Sequence, residues 1–290
     1  MANLAEDLSS AESLARGAAS QRVLSFLRTM EKRDLATART YFAPGFFMVF
    51  PGTGRMNALE ELLAYSAGRQ RNSWKTFVGF DECRSPDGTV VYCYGTLNGE
   101  RIDTGAKYSG IRFLDRFTVG ADGRFVDQRV WNDQGEYGIG KGNLAVPGPD
   151  LGQPDDRSAM GEASKFCLRY LRLMEESKYD AAKAMLASDF WTVFPGDRRF
   201  TNIDELLDSM LKRYPYPLKT FHRFDEAPAP AGGTIVYCYG TLRGKTLDGR
   251  EYAGIRFIDR MTVRGGKVLD QMVWNDRGEY GGFAKSRAAG

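Results

Sequence analysis

Apolar residues recur at helical spacing near the start of the chain and at strand spacing later. Between residues 19 and 32 they return every three or four positions, which predicts an amphipathic helix. The pattern then predicts three more elements. They are a second short helix over about 34–42, a short apolar strand from Phe46 to Phe50 and a third helix from Ala58 to Ala67. Four stretches rich in Val, Ile, Tyr and Phe come next, separated by turn residues. Helices followed by a meander of strands predict an α+β fold.

The chain contains this pattern twice, at an offset of about 144 residues. Val91-Tyr-Cys-Tyr-Gly-Thr-Leu97 returns from Val236 to Leu242, and Trp131-Asn-Asp-Gln-Gly-Glu-Tyr-Gly138 returns with one change from Trp274 to Gly281. Asn57, the predicted N-cap of the third helix, returns as Asn202. The segment between the copies is rich in proline and glycine, as linkers are. We therefore predict a first domain over residues 1–140, a linker over 141–161 and a second domain over 162–290.

Composition excludes several classes of protein. Apolar residues make up 42% of the 290 residues and charged residues 27%, which is typical of a globular protein and excludes a disordered or fibrous one. A net charge of only +3 gives no basis for binding nucleic acid, and no apolar run is long enough to cross a membrane. The N-terminus lacks the apolar core of a signal peptide, so a cytoplasmic location is expected.

The chain also lacks the usual signatures of metal and nucleotide sites. Its four cysteines show no CxxC spacing and it has one histidine, so no metal site is expected. Glycine-rich phosphate-binding motifs and a GxSxG nucleophile motif are absent from the sequence. An enzyme built on this chain is therefore expected to work without a cofactor.

Each copy places an aspartate within an apolar strand face. Because side chains alternate along a strand, Asp115 shares a face with Ile111, Phe113, Phe117 and Val119. Asp259 holds the same place in the second copy. Burial would raise the pKa of such a carboxyl and make it a candidate general acid or base. A structural tie to a buried arginine or tyrosine is the alternative interpretation.

Other polar and aromatic side chains are candidates for the same site. The strand before the aspartate carries two tyrosines on one face, which could stabilise a developing oxyanion or simply fill the sheet; they are Tyr92 and Tyr94 in the first copy and Tyr237 and Tyr239 in the second. The candidates for substrate binding are Phe50, Arg129, Trp131, Asn132 and Asp133, with Phe194, Trp274, Asn275 and Asp276 in the second copy.

His222 has no counterpart in the first copy, where Val78 takes its place. A histidine titrates near neutral pH, so His222 in a pocket would make the second copy chemically different from the first. A partly exposed strand histidine is the alternative.

The order of elements, with Gly-Ile-Arg-Phe-Leu-Asp-Arg-Phe from Gly110 and the run from Asp122 to Asp133, resembles the SnoaL-like branch of the nuclear-transport-factor-2-like superfamily. The resemblance covers about residues 20–140 and 163–284. It implies two cone-shaped α+β barrels, each a curved antiparallel sheet around helices, with an apolar pocket. It also implies that the tandem copies form a pseudo-dimer within one chain, and it leaves further self-association open.

What the resemblance implies about function is a cofactor-independent lyase or isomerase. In this family an Asp or His with one or two Tyr lies inside the cone, which corresponds to Asp115 with Tyr92 and Tyr94, or to Asp259 with Tyr237, Tyr239 and His222. The expected substrate is a hydrophobic aromatic or polycyclic small molecule. The first hypothesis is proton abstraction by Asp259 or His222.

The sequence leaves two alternatives open. The protein could be a noncatalytic binding or assembly protein whose cones are filled by their own aromatic side chains. The side chains that could fill the first cone are Phe46, Phe47, Phe113, Phe117 and Trp131. The other alternative is that the first copy is structural and the second catalytic.

Overall fold

The computed structural model describes residues 10–140, 144, 160–211, 217–246 and 249–281. The chain divides into two compact units, Met1–Gly140 and Lys141–Gly290. Most of the predicted linker, residues 141–143 and 145–159, lies outside the described residues.

The first unit follows the predicted order of elements. It contains helices α1 (Ala18–Glu31), α2 (Leu35–Arg39) and α3 (Leu59–Ala67), strands β1 (Phe42–Val49), β2 (Arg55–Met56), β3 (Gln70–Ser85), β4 (Gly88–Arg101), β5 (Lys107–Val119) and β6 (Phe125–Asn132), and a 3₁₀ turn (Gln134–Tyr137).

The second unit repeats this order. It contains helices α4 (Glu162–Glu175), α5 (Tyr179–Lys183) and α6 (Ile203–Leu211), strands β7 (Leu186–Phe194), β8 (Arg198–Phe200), β9 (Leu218–Pro228), β10 (Thr234–Lys245), β11 (Glu251–Arg264) and β12 (Lys267–Asn275), and a 3₁₀ turn (Arg277–Glu279). None of the helices in the described ranges is both long and apolar enough to cross a membrane.

Each unit has one six-stranded sheet, so the α+β fold class is confirmed. The strand order is β2-β1-β6-β5-β4-β3 in the first unit and β8-β7-β12-β11-β10-β9 in the second. The expectation of a fully antiparallel sheet needs one correction, because β1 pairs with β6 in parallel and β7 pairs with β12 in parallel. Both sheets are therefore mixed.

The long helix of each unit lies against the inner face of its own sheet. In the first unit, Phe26 of α1 lies 5.8 Å from Phe117 and 5.2 Å from Phe125, measured between ring centroids, in edge-on contacts. Tyr170 of α4 is the equivalent of Phe26 and belongs to the core of the second unit. Burial of this apolar helix face contributes to the stability of each unit.

The caps of the third helix differ between the copies. Asn202 acts as the expected N-cap, since its Oδ1 accepts a hydrogen bond from the backbone N–H of Glu205 at 2.9 Å. The equivalent expectation for Asn57 is wrong: its Oδ1 accepts from Arg55, and the Glu61 carboxylate takes the backbone N–H groups of Asn57 and Ala58 instead.

A β-bulge bends the sheet at the same place in both units. Phe77 pairs with Gly95 and Gly79 with Tyr94, so Val78 is the extra residue of β3. In β9 the extra residue is His222, between the pairs Phe221–Gly240 and Arg223–Tyr239. Bulges increase local twist, and this one curves the long strands over the helix.

Glycine opposite the bulge is required by a close approach of two strands. A Cβ on Gly95 would lie 2.0 Å from the carbonyl oxygen of Thr76, and one on Gly240 would lie 1.9 Å from that of Thr220. Any side chain there would force the two strands apart.

We expect Gly95→Ala to destabilise the first unit by about 2 kcal/mol, because the added methyl group overlaps a backbone atom that cannot move away cheaply. Urea unfolding followed by circular dichroism measures the effect. Gly54→Ala is the matched control, since a Cβ at Gly54 meets no atom within 4 Å. Equal unfolding midpoints for the two variants would contradict this account of the bulge.

Candidate functional site

A buried ion pair lies on the inner face of each sheet. Asp115 is 0% exposed within the predicted apolar row of β5, and its Oδ2 accepts a hydrogen bond from Lys75 Nζ. Lys219 and Asp259 form the same pair in the second unit. The partner of each aspartate is thus a lysine near the start of β3 or β9. The alternative of a structural tie had named a buried arginine or tyrosine as this partner.

Two further groups surround each pair. The amide Nε2 of Gln128 lies 3.4 Å from Asp115 Oδ2, and Gln271 lies 3.5 Å from Asp259 Oδ2. The ammonium of Lys75 lies 4.2 Å from the centroid of the Phe113 ring, whose face attracts a cation. Each site therefore combines a lysine, an aspartate, a glutamine and an aromatic ring.

Burial has a direct effect on both aspartates. It raises the pKa of Asp115 and of Asp259, and the neighbouring lysine and glutamine oppose this in part. The second carboxylate oxygen, Oδ1, is buried with no hydrogen-bond partner in both residues. A carboxyl in this environment accepts a proton more readily than one in water.

The backbone of each lysine is fixed by the last turn of the long helix. Glu31 Oε1 accepts a hydrogen bond from the backbone N–H of Lys75 at 2.8 Å. Arg28 Nη1 donates a hydrogen bond to the backbone carbonyl oxygen of Lys75 at 3.1 Å. Glu175 and Arg172 hold Lys219 in the same way. The lysine position is therefore determined by helix and strand together.

A cavity of about 220 Å³ opens beside the lysine of the first unit. Its apolar wall is formed by Phe26, Phe50, Leu62, Leu97, Phe113 and Val130. Its polar wall includes Lys75, Gln128, Asn132, Gln134 and Gln70. The Lys75 side chain is 16% exposed whereas that of Lys219 is 6% exposed, so the first unit's lysine is the more accessible of the two.

The second unit differs from the first at the helix residue above the pair. Tyr170 stands where the first unit has Phe26, and its hydroxyl lies 3.4 Å from Gln271 Oε1. Burial, with the nearby Asp259 charge, raises the pKa of Tyr170. Tyr170 thus extends the polar cluster of the second unit by one group.

The structure does not bring the four candidate tyrosines together with the aspartates. Cys93 pairs directly with Asp115, so Tyr92 and Tyr94 on either side of it lie on the opposite sheet face. Tyr237 and Tyr239 flank Cys238 in the same way. None of the four lines the cavity.

The remaining candidates divide between the two faces. Asn132 and Phe50 line the cavity, and Phe194 and Asn275 are buried in the second unit. Trp131, Arg129 and Trp274 pair across the sheet with Leu114, Arg116 and Ile258, which places them on the outer face. Asp133 and Asp276 accept hydrogen bonds from Arg112 Nε at 2.8 Å and Arg256 Nε at 2.7 Å.

His222 is half-buried, and as the extra residue of the bulge it follows Phe221, which belongs to the second core. Its equivalent Val78 is 58% exposed.

Within the described residues, no group of three His, Cys, Asp or Glu side chains could hold a metal ion.

Sequence reasoning missed Lys75 and Gln128, and with them Lys219 and Gln271. The available signal was recurrence: Lys75-Thr-Phe77 returns as Lys219-Thr-Phe221, and Asp127-Gln128 returns as Asp270-Gln271. A lysine repeated within an otherwise variable strand start is evidence of a specific partner.

No protein-family model matches the chain, and no curated protein matches it. Solved structures that match it include proteins described as NTF2-like and as SnoaL-like polyketide cyclases.

Three of these structures illustrate the range. An NTF2-like protein of unknown function from Burkholderia pseudomallei matches with a TM-score of 0.34 and 16% identity, over 39% of this chain and 89% of its own. A SnoaL-like polyketide cyclase, so described, from Jannaschia sp. CCS1 has a TM-score of 0.32 and 19% identity, over 41% of this chain and 90% of its own. TerC, co-crystallised with polyporic acid, has a TM-score of 0.33 and 17% identity, over 39% and 90%.

Proposed function

We propose that the first unit is a cofactor-independent lyase or isomerase that acts on a small ring-bearing molecule by proton transfer. The observation that carries this proposal is the cavity beside Lys75, because it combines an apolar wall with one accessible lysine backed by a buried carboxylate. The reacting pair becomes Lys75 with Asp115, in place of Asp259 or His222.

The pair can move a proton without a cofactor. Since burial raises the pKa of Asp115, a proton passes from the Lys75 ammonium to the carboxylate at lower cost than in water. The amine then accepts a proton from the substrate carbon or hydroxyl that faces it. In the last step the same proton returns to the new carbon in an isomerase, or to the leaving fragment in a lyase.

Amide groups on the same wall can support this chemistry. Gln128 and Asn132 line the cavity near the pair, and an amide N–H that points to a substrate oxygen stabilises the negative charge that develops there. Asp115 does not line the cavity, so its role is to hold Lys75 and to share its proton.

The size of the cavity narrows the expected substrate. An engineered cavity of about 150 Å³ binds benzene, and pockets for drug-sized ligands begin at about 300 Å³. At about 220 Å³, the cavity suits one aromatic ring with a short substituent better than a polycyclic molecule.

A noncatalytic binding protein is the second candidate. It is favoured by the second unit, where the same lysine, aspartate and glutamine are present although Lys219 is buried. Because Lys219 is buried, we infer that this set stabilises the fold of the second unit. Both candidate functions, the enzyme and the binding protein, use the cavity of the first unit. They differ only in whether the bound ligand is converted to a product.

A thermal-shift panel tests the cavity directly. Single-ring ligands with one carbonyl or hydroxyl group should raise the melting temperature of the first unit, since a ligand at about 100 times its Kd adds roughly 2.7 kcal/mol of stability. Polycyclic ligands should give no shift.

Val130→Phe should abolish these shifts, because Val130 lines the cavity and the larger ring fills it. Val126→Phe, the same change at a residue 38% exposed outside the cavity, should keep them. Identical shifts in both variants would place ligand binding elsewhere, and product formation from a bound ligand separates enzyme from binding protein.

A further inference from the structure

Among the described residues, one positively charged side chain on the lining of the first unit's cavity has no ion-pair partner. Glu31, Arg33 and Lys75 are its charged lining residues. Glu31 is paired with Arg28 at 2.8 Å, and Lys75 is paired with Asp115. The lining charge that remains is that of Arg33.

Arg33 is exposed and contributes to the lining, which places it at the mouth of the cavity. Within the part of the chain that the structure describes, its guanidinium has no ion-pair or hydrogen-bond partner among the side chains. A guanidinium presents a planar set of N–H donors that matches a carboxylate. The mouth is thus able to take an anionic group without displacing an existing partner.

The position of Arg33 follows from the end of α1. Its backbone lies in the left-handed region, with φ at 59°, and its N–H donates to the carbonyl oxygen of Met30 at 3.0 Å. Glycine is the usual residue in this helix-terminating conformation. The second unit has the same turn with Ser177, at φ 57°, so the charge is specific to the first unit.

We infer that the substrate of the first unit is a ring compound that bears a carboxylate, and that Arg33 is its carboxylate-binding residue. The ring lies against the apolar wall of Leu97 and Phe113, and the carboxylate remains at the mouth. This inference rests on the proposed function and adds the substrate's charge to it. Arg33 acts in binding specificity and takes no part in the proton transfer.

The test compares trans-cinnamate with its neutral isostere cinnamamide, using isothermal titration calorimetry on the full chain. We expect cinnamate to bind about fivefold to tenfold tighter than cinnamamide, as for a partly exposed charged hydrogen bond. The preference should shrink at high sodium chloride concentration, because salt screens exposed charges.

Arg33→Ser introduces the residue of the second unit's equivalent turn and is the decisive variant. It should weaken cinnamate binding to the level of cinnamamide and leave cinnamamide binding unchanged. Arg33→Lys should keep part of the preference, because the charge remains and the planar donor set is lost. Circular dichroism confirms that each variant is folded.

The outcomes separate this inference from the function on which it rests. Binding of both probes with no preference, or an equal loss of both in Arg33→Ser, overturns the carboxylate inference and leaves the cavity proposal standing. Failure of wild-type protein to bind either probe overturns the carboxylate inference and also counts against the single-ring cavity.

Discussion

Replacing Lys219 with methionine is expected to destabilise the second unit by about 3–5 kcal/mol, the usual effect of leaving a buried charge without its partner. Asp259 is 0% exposed and its Oδ1 has no hydrogen-bond partner, so the loss of the ammonium would leave a buried carboxylate without its ion pair. Chemical denaturation followed by circular dichroism and tryptophan fluorescence measures the loss. Lys245→Met is the matched control, since the Lys245–Glu251 pair is exposed and contributes little.

The pH dependence of this loss has a defined sign. Burial raises the pKa of Asp259 above the reference value of 3.8, so the folded protein binds this proton more tightly than the unfolded chain does. Protonation at low pH therefore favours the folded state, and stability falls as the pH rises from 3.8 through the raised pKa. Because Lys219 opposes this rise in pKa, the deficit of Lys219→Met should be largest near neutral pH and smallest below the reference value.

A second replacement separates the lost pair from lost packing. Lys219→Met combined with Asp259→Leu removes both charges, and we expect it to regain most of the stability of the wild-type protein, as apolar replacements of buried ion pairs often do. If the double variant is as unstable as the single one, the lysine stem and not its charge stabilises the unit.

Replacing Lys75 with methionine is expected to lower kcat by about 10²–10⁴-fold on any ligand that the thermal-shift panel identifies as a substrate. Lys75 is the group of the pair that lines the cavity, and its loss removes the proton carrier. Lys219→Met is the control for the equivalent position, and at a temperature where it is folded its turnover should equal that of the wild-type protein.

An arginine at position 75 tests the type of catalysis. Arginine retains a positive charge but does not release a proton in proteins. Lys75→Arg should therefore be nearly as inactive as Lys75→Met, while keeping more of the stability. Substantial activity in Lys75→Arg would show that position 75 stabilises charge and that the proton moves through another group.

Asp115→Asn completes the set, since it leaves Lys75 in place and removes the proton acceptor. The expected result is a lower kcat with KM nearly unchanged, because Asp115 lies behind the lysine and does not line the cavity. A rise in KM alone would indicate that Asp115 only maintains the shape of the cavity wall.

Much of the fold was predictable because the same pattern of apolar and polar residues occurs in both copies. The helices, the strand meander and the burial of Asp115 among apolar residues all follow from the spacing of apolar residues. This spacing is about 3.6 residues in helices and two in strands, and it can be read from short stretches of sequence. The parallel pairing of β1 with β6 was not predictable in this way. It joins the first and last strands of a unit, and residue order within either strand does not specify its neighbour.

The site was less predictable than the fold for a related reason. Strand register decides whether Tyr92 and Tyr94 lie on the same sheet face as Asp115. A shift of one residue would move both tyrosines to the other face. The pairing of Cys93 with Asp115 decides it. Lys75 was missed because a single lysine near a strand end normally lies in water. The cavity depends on how Phe26 and Phe113 pack in three dimensions, which no local pattern encodes.

The pairing of β1 with β6 also determines when a unit can fold during synthesis. Phe47 pairs with Asp127, so the sheet of the first unit remains incomplete until nearly the whole unit has left the ribosome. Until then β1 exposes an unpaired edge, which is able to associate with other chains. A chain that ends before Phe125 should therefore aggregate, whereas one that includes β6 and the turn after it should yield a first unit that folds before the second is made.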